Sequence, residues 1–364
     1  MKKRKKKVSI IGTNGLPANY GGWETLVHNL TLELNEEFEI TVYCSGKSYD
    51  KRLQEFNDVK LIYIDLNANG WQSIPYDVFS MIKAIKHSDT LLILGVSGCL
   101  FLPFIKPFTS SKFIVNIDGL EWKRDKWSWG IKRFLKLSEA IAAKYADCVI
   151  SDNKVIQDYA MSEYNIKSEL ISYGADHAQP VALTKEIAEQ YPFLNSFYAF
   201  KVCRIEPENN LDMILEACVA VPTMNLVMVG NWSKSQYGEN LRKKYSDYSN
   251  LFLLDPMYDQ NILNQLRSNC LVYIHGHSAG GTNPSLVEAM HLGLPIVSYD
   301  VAFNKETTHH KAVYFHTTED LQDILTNMDN LDLTALGLEM KELADTHYTW
   351  SVVSQKYKEL LLKL

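Results

Sequence analysis

Short apolar runs alternate with stretches of helical periodicity along the whole chain, the pattern of a parallel sheet wound with crossover helices. In the first half the pattern predicts strands at Val8–Gly12, Glu39–Cys44, Lys60–Ile64, Thr90–Leu94, Lys112–Asn116, Cys148–Ser151 and Glu169–Ser172. Helices fall between them, most clearly at Trp23–Leu34, Gly130–Tyr145 and Asn153–Glu163. From Tyr173 to Ser196 the pattern lapses into Gly174, Pro180, Pro192 and polar residues, which reads as a hinge. A second series then places strands at Phe197–Cys203, Asn225–Gly230, Asn250–Leu254, Leu271–Ile274, Pro295–Ser298 and Val313–Phe315. Its helices are read at Leu211–Val219, Asp259–Arg267, Ser285–Leu292 and Thr318–Met328. Two doubly wound α/β domains follow, over residues 1–177 and 178–345, facing across a cleft, with a helix in 346–364 packing back on the first domain. Ligands are expected at the carboxyl ends of the strands.

A length of 364 residues agrees with about two domains. The 46% hydrophobic and 22% charged fractions, with 7 Trp, 20 Tyr and 14 Phe, exclude a disordered or coiled-coil chain. The net charge of −6 conceals an unbroken basic run, Lys2 to Lys7, without which the body stands at −12. So acidic a body argues against a general nucleic-acid binder. The six cysteines lie at least 15 residues apart with no CxxC pair, and read as buried thiols in a reducing compartment. Leu91–Ile105, interrupted by Gly95, Ser97, Gly98 and Pro103, is too short and broken to cross a bilayer. Behind the basic head, Val8–Ile11 runs at once into Gly12, Asn14, Gly15 and Pro17, so no signal-peptide core is present and a cytoplasmic protein is expected.

Three segments carry chemistry. The first strand ends in Gly12-Thr13-Asn14-Gly15-Leu16-Pro17, and Tyr20-Gly21-Gly22-Trp23-Glu24-Thr25 opens a helix. Such glycines admit an anion to backbone N–H groups at a helix start, although a tight strand-to-helix turn has the same appearance. The second segment, His275-Gly276-His277-Ser278-Ala279-Gly280-Gly281-Thr282-Asn283-Pro284-Ser285, leads from a strand into a helix whose first turn would present the N–H groups of residues 282 to 285. Glu288, one turn inside, can accept hydrogen bonds from a ribose diol; a capped helix with an exposed Glu is the plainer alternative. In the third, Arg204 ends the first strand of the second domain, ahead of Ile205-Glu206-Pro207-Glu208-Asn209-Asn210. It can clamp a diphosphate or form a surface ion pair with Glu206 or Glu208.

Together these segments resemble the family 4 retaining glycosyltransferases of GT-B fold. The resemblance is carried by Glu288-Ala289-Met290 with Gly293-Leu294-Pro295-Ile296-Val297, a Gly/Pro-rich turn before them, and the Arg at the first strand of the second domain. Gly12-Thr13, Tyr20-Gly21-Gly22-Trp23-Glu24-Thr25, Asp118-Gly119-Leu120-Glu121-Trp122-Lys123-Arg124, Ser151-Asp152-Asn153, Tyr173-Gly174-Ala175-Asp176 and Gly280 to Glu288 look like the bacterial rhamnosyltransferase branch of surface polysaccharide synthesis. The likeness spans roughly residues 8–300. The wider family's Glu-x7-Glu pair would put its first Glu at position 280, which is Gly280 here, and its Lys five residues after the Arg is Asn209. Loss of the Glu fits an altered donor sugar such as a 6-deoxyhexose, absence of the Lys leaves more of the diphosphate charge to Arg204 and backbone N–H groups, and both changes read as specificity.

What the resemblance implies is transfer of L-rhamnose from dTDP-L-rhamnose to a polyprenyl-diphosphate-linked saccharide, by a front-face mechanism without cofactor or metal. Donor contacts are assigned to Gly21, Gly22, Arg204, Asn209, Gly281, Thr282, Asn283, Pro284, Ser285 and Glu288. The reacting centre is assigned to Asp118, Lys123, Asp152 and Arg204, and acceptor contacts to Glu121, Arg124 and Asn153. Asp118, Glu121, Asp152 and Asn153 equally suit helix caps or turns. His275 and His277 share a strand face, but nothing nearby completes a metal-ligand spacing. A nucleotide-sugar 2-epimerase and a catalytically silent nucleotide-sugar-binding protein are the rival readings. The Lys2–Lys7 run, with Trp122 to Trp129 leading into Lys132-Arg133-Phe134-Leu135-Lys136, suits an anionic membrane surface, so a peripheral protein on the inner face of the cell membrane is expected.

Overall fold

The computed structural model of the protein describes residues 4–18, 21–124 and 127–364. Its first sheet contains β1 (Lys6–Ile11), β2 (Phe38–Ser45), β3 (Glu55–Phe56), β4 (Val59–Ile64), β5 (Thr90–Leu94), β6 (Lys112–Asn116), β7 (Cys148–Ser151) and β8 (Glu169–Leu170). They lie in the order β3-β4-β2-β1-β5-β6-β7-β8, and every pairing is parallel except β3 with β4. That two-residue β3, absent from the expected set, is too short to carry a hydrophobic period; it exists because Asn57 and Asp58 both take positive φ and close a tight hairpin. The connecting helices are α1 (Gly22–Leu34), α2 (Ser73–Ala84), α3 (Leu102–Ile105), α4 (Trp129–Tyr145) and α5 (Lys154–Tyr164). Right-handed crossovers put α2, α3 and α4 on one face of this sheet and α1 on the other.

The second sheet contains β9 (Tyr198–Val202), β10 (Asn225–Val229), β11 (Leu251–Leu254), β12 (Val272–His275), β13 (Ile296–Tyr299) and β14 (Val313–Phe315), ordered β11-β10-β9-β12-β13-β14 and parallel throughout. Around it run α6 (Lys185–Gln190), α7 (Leu211–Ala220), α8 (Gln236–Tyr245), α9 (Gln260–Ser268), α10 (Pro284–His291), α11 (Ala302–Thr307), α12 (Thr318–Thr326) and α13 (Leu333–His347). The core between β9, β10, β12 and α7 is continuous and apolar, with Ala199, Leu226, Met228, Ile274, Ile214 and Leu215 all fully buried. Strand order reverses between β9 and β12, so the crevice at their carboxyl ends is the expected ligand position.

The chain divides into two compact units. One holds the residues up to Lys123, Trp127–Gly174 and Trp350–Leu364; the other holds Arg124 and Ala175–Thr349. The last helix, α14 (Trp350–Lys363), therefore belongs to the first unit, where it packs on α1. Over residues 4 to 7 the basic head, expected at a membrane surface, is engaged within the fold. Arg4 reaches Asp89 at 3.4 Å, Lys5 Nζ donates to the Asn35 carbonyl at 3.0 Å, Lys6 Nζ to the Leu361 carbonyl at 2.8 Å, and Lys7 lies 3.3 Å from Glu39. Lys6 and Lys7 are the first residues of β1, recruited by the parallel ladder with β2. Lys2, Lys3 and Tyr20 lie outside the described residues. All six cysteines are free thiols.

Candidate active site

In the second unit, Arg204 follows β9 and is exposed; its guanidinium has no ion pair or hydrogen bond among the described residues. The surface pair with Glu206 or Glu208 is therefore not formed. The turn Pro207–Asn209 curls back so that Asn209 Nδ2 donates to the Arg204 carbonyl at 2.5 Å, fixing the backbone that carries the guanidinium. Asn209 is itself buried, and with its Nδ2 on the Arg204 carbonyl it braces that turn, while its Oδ1 has no hydrogen-bond partner. The Glu208 carbonyl accepts from Ser278 N–H (2.8 Å) and Oγ (3.0 Å), tying this turn to the loop after β12. Close approach makes glycine obligatory at 276, where a Cβ would lie 2.3 Å from the Asn209 carbonyl oxygen. The Glu208 carboxyl is buried, and burial together with neighbouring Glu206 raises its pKa. Arg124, counted with this unit, approaches it at 3.7 Å, which is where the structure places that expected acceptor contact.

His275 and His277 stack at 4.4 Å with rings 12° apart. Burial, reinforced by Lys201, holds His275 well below the usual imidazole range, so the ring is neutral at pH 7; neither of its nitrogens has a hydrogen-bond partner. Among the described residues no cluster of three His, Cys, Asp or Glu is placed to hold a metal ion.

α10 starts because Asn283 caps it, its Oδ1 accepting from Ser285 N–H at 3.1 Å and Ser285 Oγ at 2.9 Å, with Pro284 at the first position. This corrects the expectation of four presented amides: Pro284 has no N–H, and that of Ser285 is spent on the cap. The stretch Gly280 to Asn283 is what remains for an anion. Gly280, at φ +143, has nothing within 4 Å of the place a Cβ would occupy, so the position expected to hold a carboxylate in the wider family is open space.

Glu288 is not the exposed residue of the plainer alternative. Its Oε2 accepts from Arg267 Nη1 at 2.5 Å and its Oε1 lies 3.2 Å from His177 Nε2. Arg267, on α9, is itself buried and donates Nε–H to Asn264 Oδ1 at 2.8 Å. Burial alone would raise the Glu288 pKa, but Arg267 and then His177 overcome it and hold the carboxyl at about 2. Two of roughly four acceptor sites on this fixed anion are used, leaving the others for a ligand diol. Arg267 and His177 escape sequence reasoning because their partner lies 21 and 111 positions away.

In the first unit the anion at the start of α1 is the protein's own. Buried Glu24 accepts from Thr13 Oγ1 at 3.0 Å and Asn14 N–H at 2.7 Å. Tyr76 OH bonds the Thr13 carbonyl at 2.8 Å from behind. A Cβ at Gly21 would lie 2.1 Å from Glu24 Oε2, so Gly21 makes room for this carboxylate. The loop is closed on this internal carboxylate, and Gly22 is the first residue of α1.

β6 and β7 pair Asn116 with Ile150, so Asp118 and Asp152 emerge at matching positions two residues beyond a paired rung. Asp118 and Leu120 both take left-handed backbone, φ +58 and +56, strain that is common at functional sites and costly for a leucine. Asn116 stabilises it: its Oδ1 accepts from Asp118 N–H at 3.0 Å, while its Nδ2 donates to Tyr357 OH of α14 at 3.4 Å. Of the other expected residues, Asn153 caps α5 through Val155 N–H (2.9 Å) and Glu121 Oε1 accepts from the Trp127 indole (3.0 Å), both local roles. Lys123 is exposed, with its ammonium 5.4 Å from the Trp122 ring centre.

Residues 184–330 match the family described as "Glycosyl transferases group 1", and residues 5–176 match a "Domain of unknown function (DUF1972)". No curated protein matches the sequence. Among solved structures, sucrose-phosphate synthase from Thermosynechococcus elongatus superposes with a TM-score of 0.82 at 13% identity, covering 99% of both chains. HepE of Anabaena in complex with UDP gives 0.77 at 14%, covering 99% of this chain and 100% of that one, and its UDP-glucose complex gives the same values. A glycosyltransferase from Rickettsia africae gives 0.73 at 14%, covering 99% of both. At these identities the likeness shows the fold, two Rossmann-like units in the GT-B arrangement of strands and helices.

Proposed function

We propose, from the match of residues 184–330 to the group 1 glycosyltransferases and the GT-B fold, that the protein is a retaining transferase that moves L-rhamnose from dTDP-L-rhamnose to a polyprenyl-diphosphate-linked saccharide during surface polysaccharide synthesis, working on the inner face of the cell membrane. The observation that carries the reading is the exposed, unpartnered Arg204 on a braced turn, in the same unit as a helix start and a carboxylate fixed in its ionised form. Arg204 and the N–H groups of Gly281, Thr282 and Asn283 take the diphosphate; Glu288 takes the nucleotide ribose. As the bond from the sugar's anomeric carbon to the phosphate oxygen breaks, charge grows on that oxygen, and fixed donors stabilise it most in the transition state. The acceptor hydroxyl forms the new bond on the same face and gives its proton to the departing phosphate oxygen. Asp118, Lys123 and Asp152 are assigned to orient that acceptor. Open space at Gly280 supports a 6-deoxy sugar, which has one hydroxyl fewer to satisfy. No metal or other cofactor has a part in this scheme.

Labelled dTDP-L-rhamnose and UDP-glucose, each incubated with the purified protein and a lipid-linked GlcNAc or glucose acceptor, test the assignment. Transfer of rhamnose is expected. Turnover of UDP-glucose alone would replace the sugar while keeping the reaction class, and epimerised sugar without acceptor would replace the class.

A further inference from the structure

The segment joining β5 to β6 turns helically from Cys99 to Phe108 and is apolar except for Lys106. Leu102 and Ile105 point into the core at 0% and 6% exposure, while Phe101, Phe104 and Phe108 point outward at 37%, 70% and 82%. A helical stretch of this composition is ordinarily covered on both sides. It lies in one layer with α2 and α4. A Cβ at Gly98 would lie 2.5 Å from Asp77 Cβ of α2, Leu100 N–H donates to Ser138 Oγ of α4 at 3.0 Å, and Lys106 Nζ donates to the Tyr145 carbonyl at the end of α4 at 2.7 Å. The outward side of that layer also exposes Phe79 and Ile82 on α2 and Trp129 and Leu137 on α4. Patches of this kind are interaction sites.

Charge says what covers it. Residues 73–87, 99–112 and 129–145 contain eight cations: Lys83, Lys86, Lys106, Lys112, Lys132, Arg133, Lys136 and Lys144. Their only carboxylates, Asp77 and Glu139, are buried at 3% and 0% exposure. The next carboxylate along the chain, Asp147, is held between Lys106 (3.0 Å) and Lys112 (3.3 Å). Lys136 is paired with Glu163 of α5 at 2.9 Å, so the cations of these stretches with no ion pair among the described residues include Lys83, Lys86, Arg133 and Lys144, and no exposed acid lies within the three stretches themselves. Arg133 lies 4.3 Å from the Trp129 ring centre, a cation over an indole as at a headgroup boundary.

We infer that the outward face of α2, the Cys99–Phe108 segment and α4 docks on an anionic lipid bilayer, inserting the three phenylalanines among the headgroups while Lys83, Lys86, Arg133 and Lys144 meet lipid phosphate. This locates the membrane attachment that the proposed lipid-linked acceptor requires, and rests on that reading to that extent only. It moves the attachment away from the N-terminal basic run, whose described members are engaged within the fold. Insertion of aromatic rings supplies the affinity and the cations supply selectivity for anionic lipid.

Co-sedimentation with phosphatidylglycerol-containing and pure phosphatidylcholine vesicles tests this with the full chain. The wild type should bind the anionic vesicles, and added salt should weaken that binding. Phe104→Ser with Phe108→Ser should lower the partition coefficient at least tenfold, and so should Arg133→Glu with Lys144→Glu, whereas deletion of Lys2 and Lys3 should change it less than twofold. Binding of both double variants at the wild-type level, loss of binding on deleting Lys2 and Lys3 alone, or a wild type that ignores anionic vesicles would each overturn the inference; the last would leave the face to a protein partner. Sugar transfer to a short water-soluble acceptor is measured in parallel. Transfer lost in the wild type while vesicle binding persists would remove the enzymatic reading and leave the docking face standing.

Discussion

At the scale of single residues, charge and commitment separate the side chains that can act from those that hold the fold. Arg204 is uncommitted, so Arg204→Ala should lower kcat about a hundredfold or more with a small change in donor affinity, and Arg204→Lys should recover only part of it because a point charge replaces a fork. Steady-state kinetics with saturating donor read this out, and unchanged kcat would take Arg204 out of the reaction. Glu288 is a different case. Truncation to Ala leaves Arg267 buried without its anion, which costs about 3–5 kcal/mol of stability, so loss of activity in that variant would mix unfolding with lost ribose contacts. Glu288→Gln keeps the shape and removes the charge, so it too should melt earlier, by the same order as neutralising the carboxyl, and a rise in donor KM measured well below its melting temperature is the result that isolates the contact.

The same carboxylate gives the protein an acid sensitivity. Its pKa falls on folding from an ordinary 4.5 to about 2. A depressed carboxylate stabilises the fold above its unfolded pKa, and the contribution disappears as pH drops through the folded value. Between about pH 4.5 and 2 the second unit should therefore lose on the order of 3 kcal/mol from this one group, and Glu288→Gln should flatten the pH dependence of its melting over that range.

At the scale of elements, the strands were legible where a buried run of apolar residues ends in glycine or a polar turn. Thr90–Leu94, Lys112–Asn116, Cys148–Ser151 and Val313–Phe315 form at the residues the pattern predicts. The limits shift where side chains from elsewhere decide. Asn283 and Asn153 cap the helices that follow them, as their residue types suggest, but the buried Arg267 beneath Glu288 and the Glu24 carboxylate within the Gly12–Gly15 loop are long-range pairings with no periodic trace. The glycines there were read as room for a ligand's anion because a sequence cannot tell an external carboxylate or phosphate from an internal one. α14 also acts at a distance, through Tyr357 and Asn116 on the strained turn at Asp118. Tyr357→Phe should cost about 1 kcal/mol and lower kcat without changing donor KM, since the donor contacts are assigned to the other unit. Equal kcat in that variant would separate the strained turn from the reaction.

At the scale of the whole molecule, two units with separate cores should melt separately, and a single midpoint would not describe them. A nucleotide sugar held by the second unit, at about a hundred times its Kd, adds about 2.7 kcal/mol to that unit alone, raising its transition by roughly 5–10 °C. A panel of dTDP and UDP sugars followed by calorimetry should therefore move one transition and leave the other, and the largest shift names the donor. Movement of the transition that belongs to the first unit would reverse the assignment of donor and acceptor sides. Among the described residues no helix is long and apolar enough to cross a membrane.

The return of the last helix has a consequence for how the protein is made. β1 is anchored through Lys6 to the carbonyl of Leu361, and Asn116 reaches Tyr357, so the first unit is completed by residues more than 200 positions further along. The stretch from Ala175 to Thr349, which forms the other unit, has to be synthesised in between. At roughly 5–20 residues per second of synthesis, the opening half waits on the order of ten to thirty seconds, with the face of α1 that α14 will cover still bare, and it is then that the nascent chain is most in need of a chaperone.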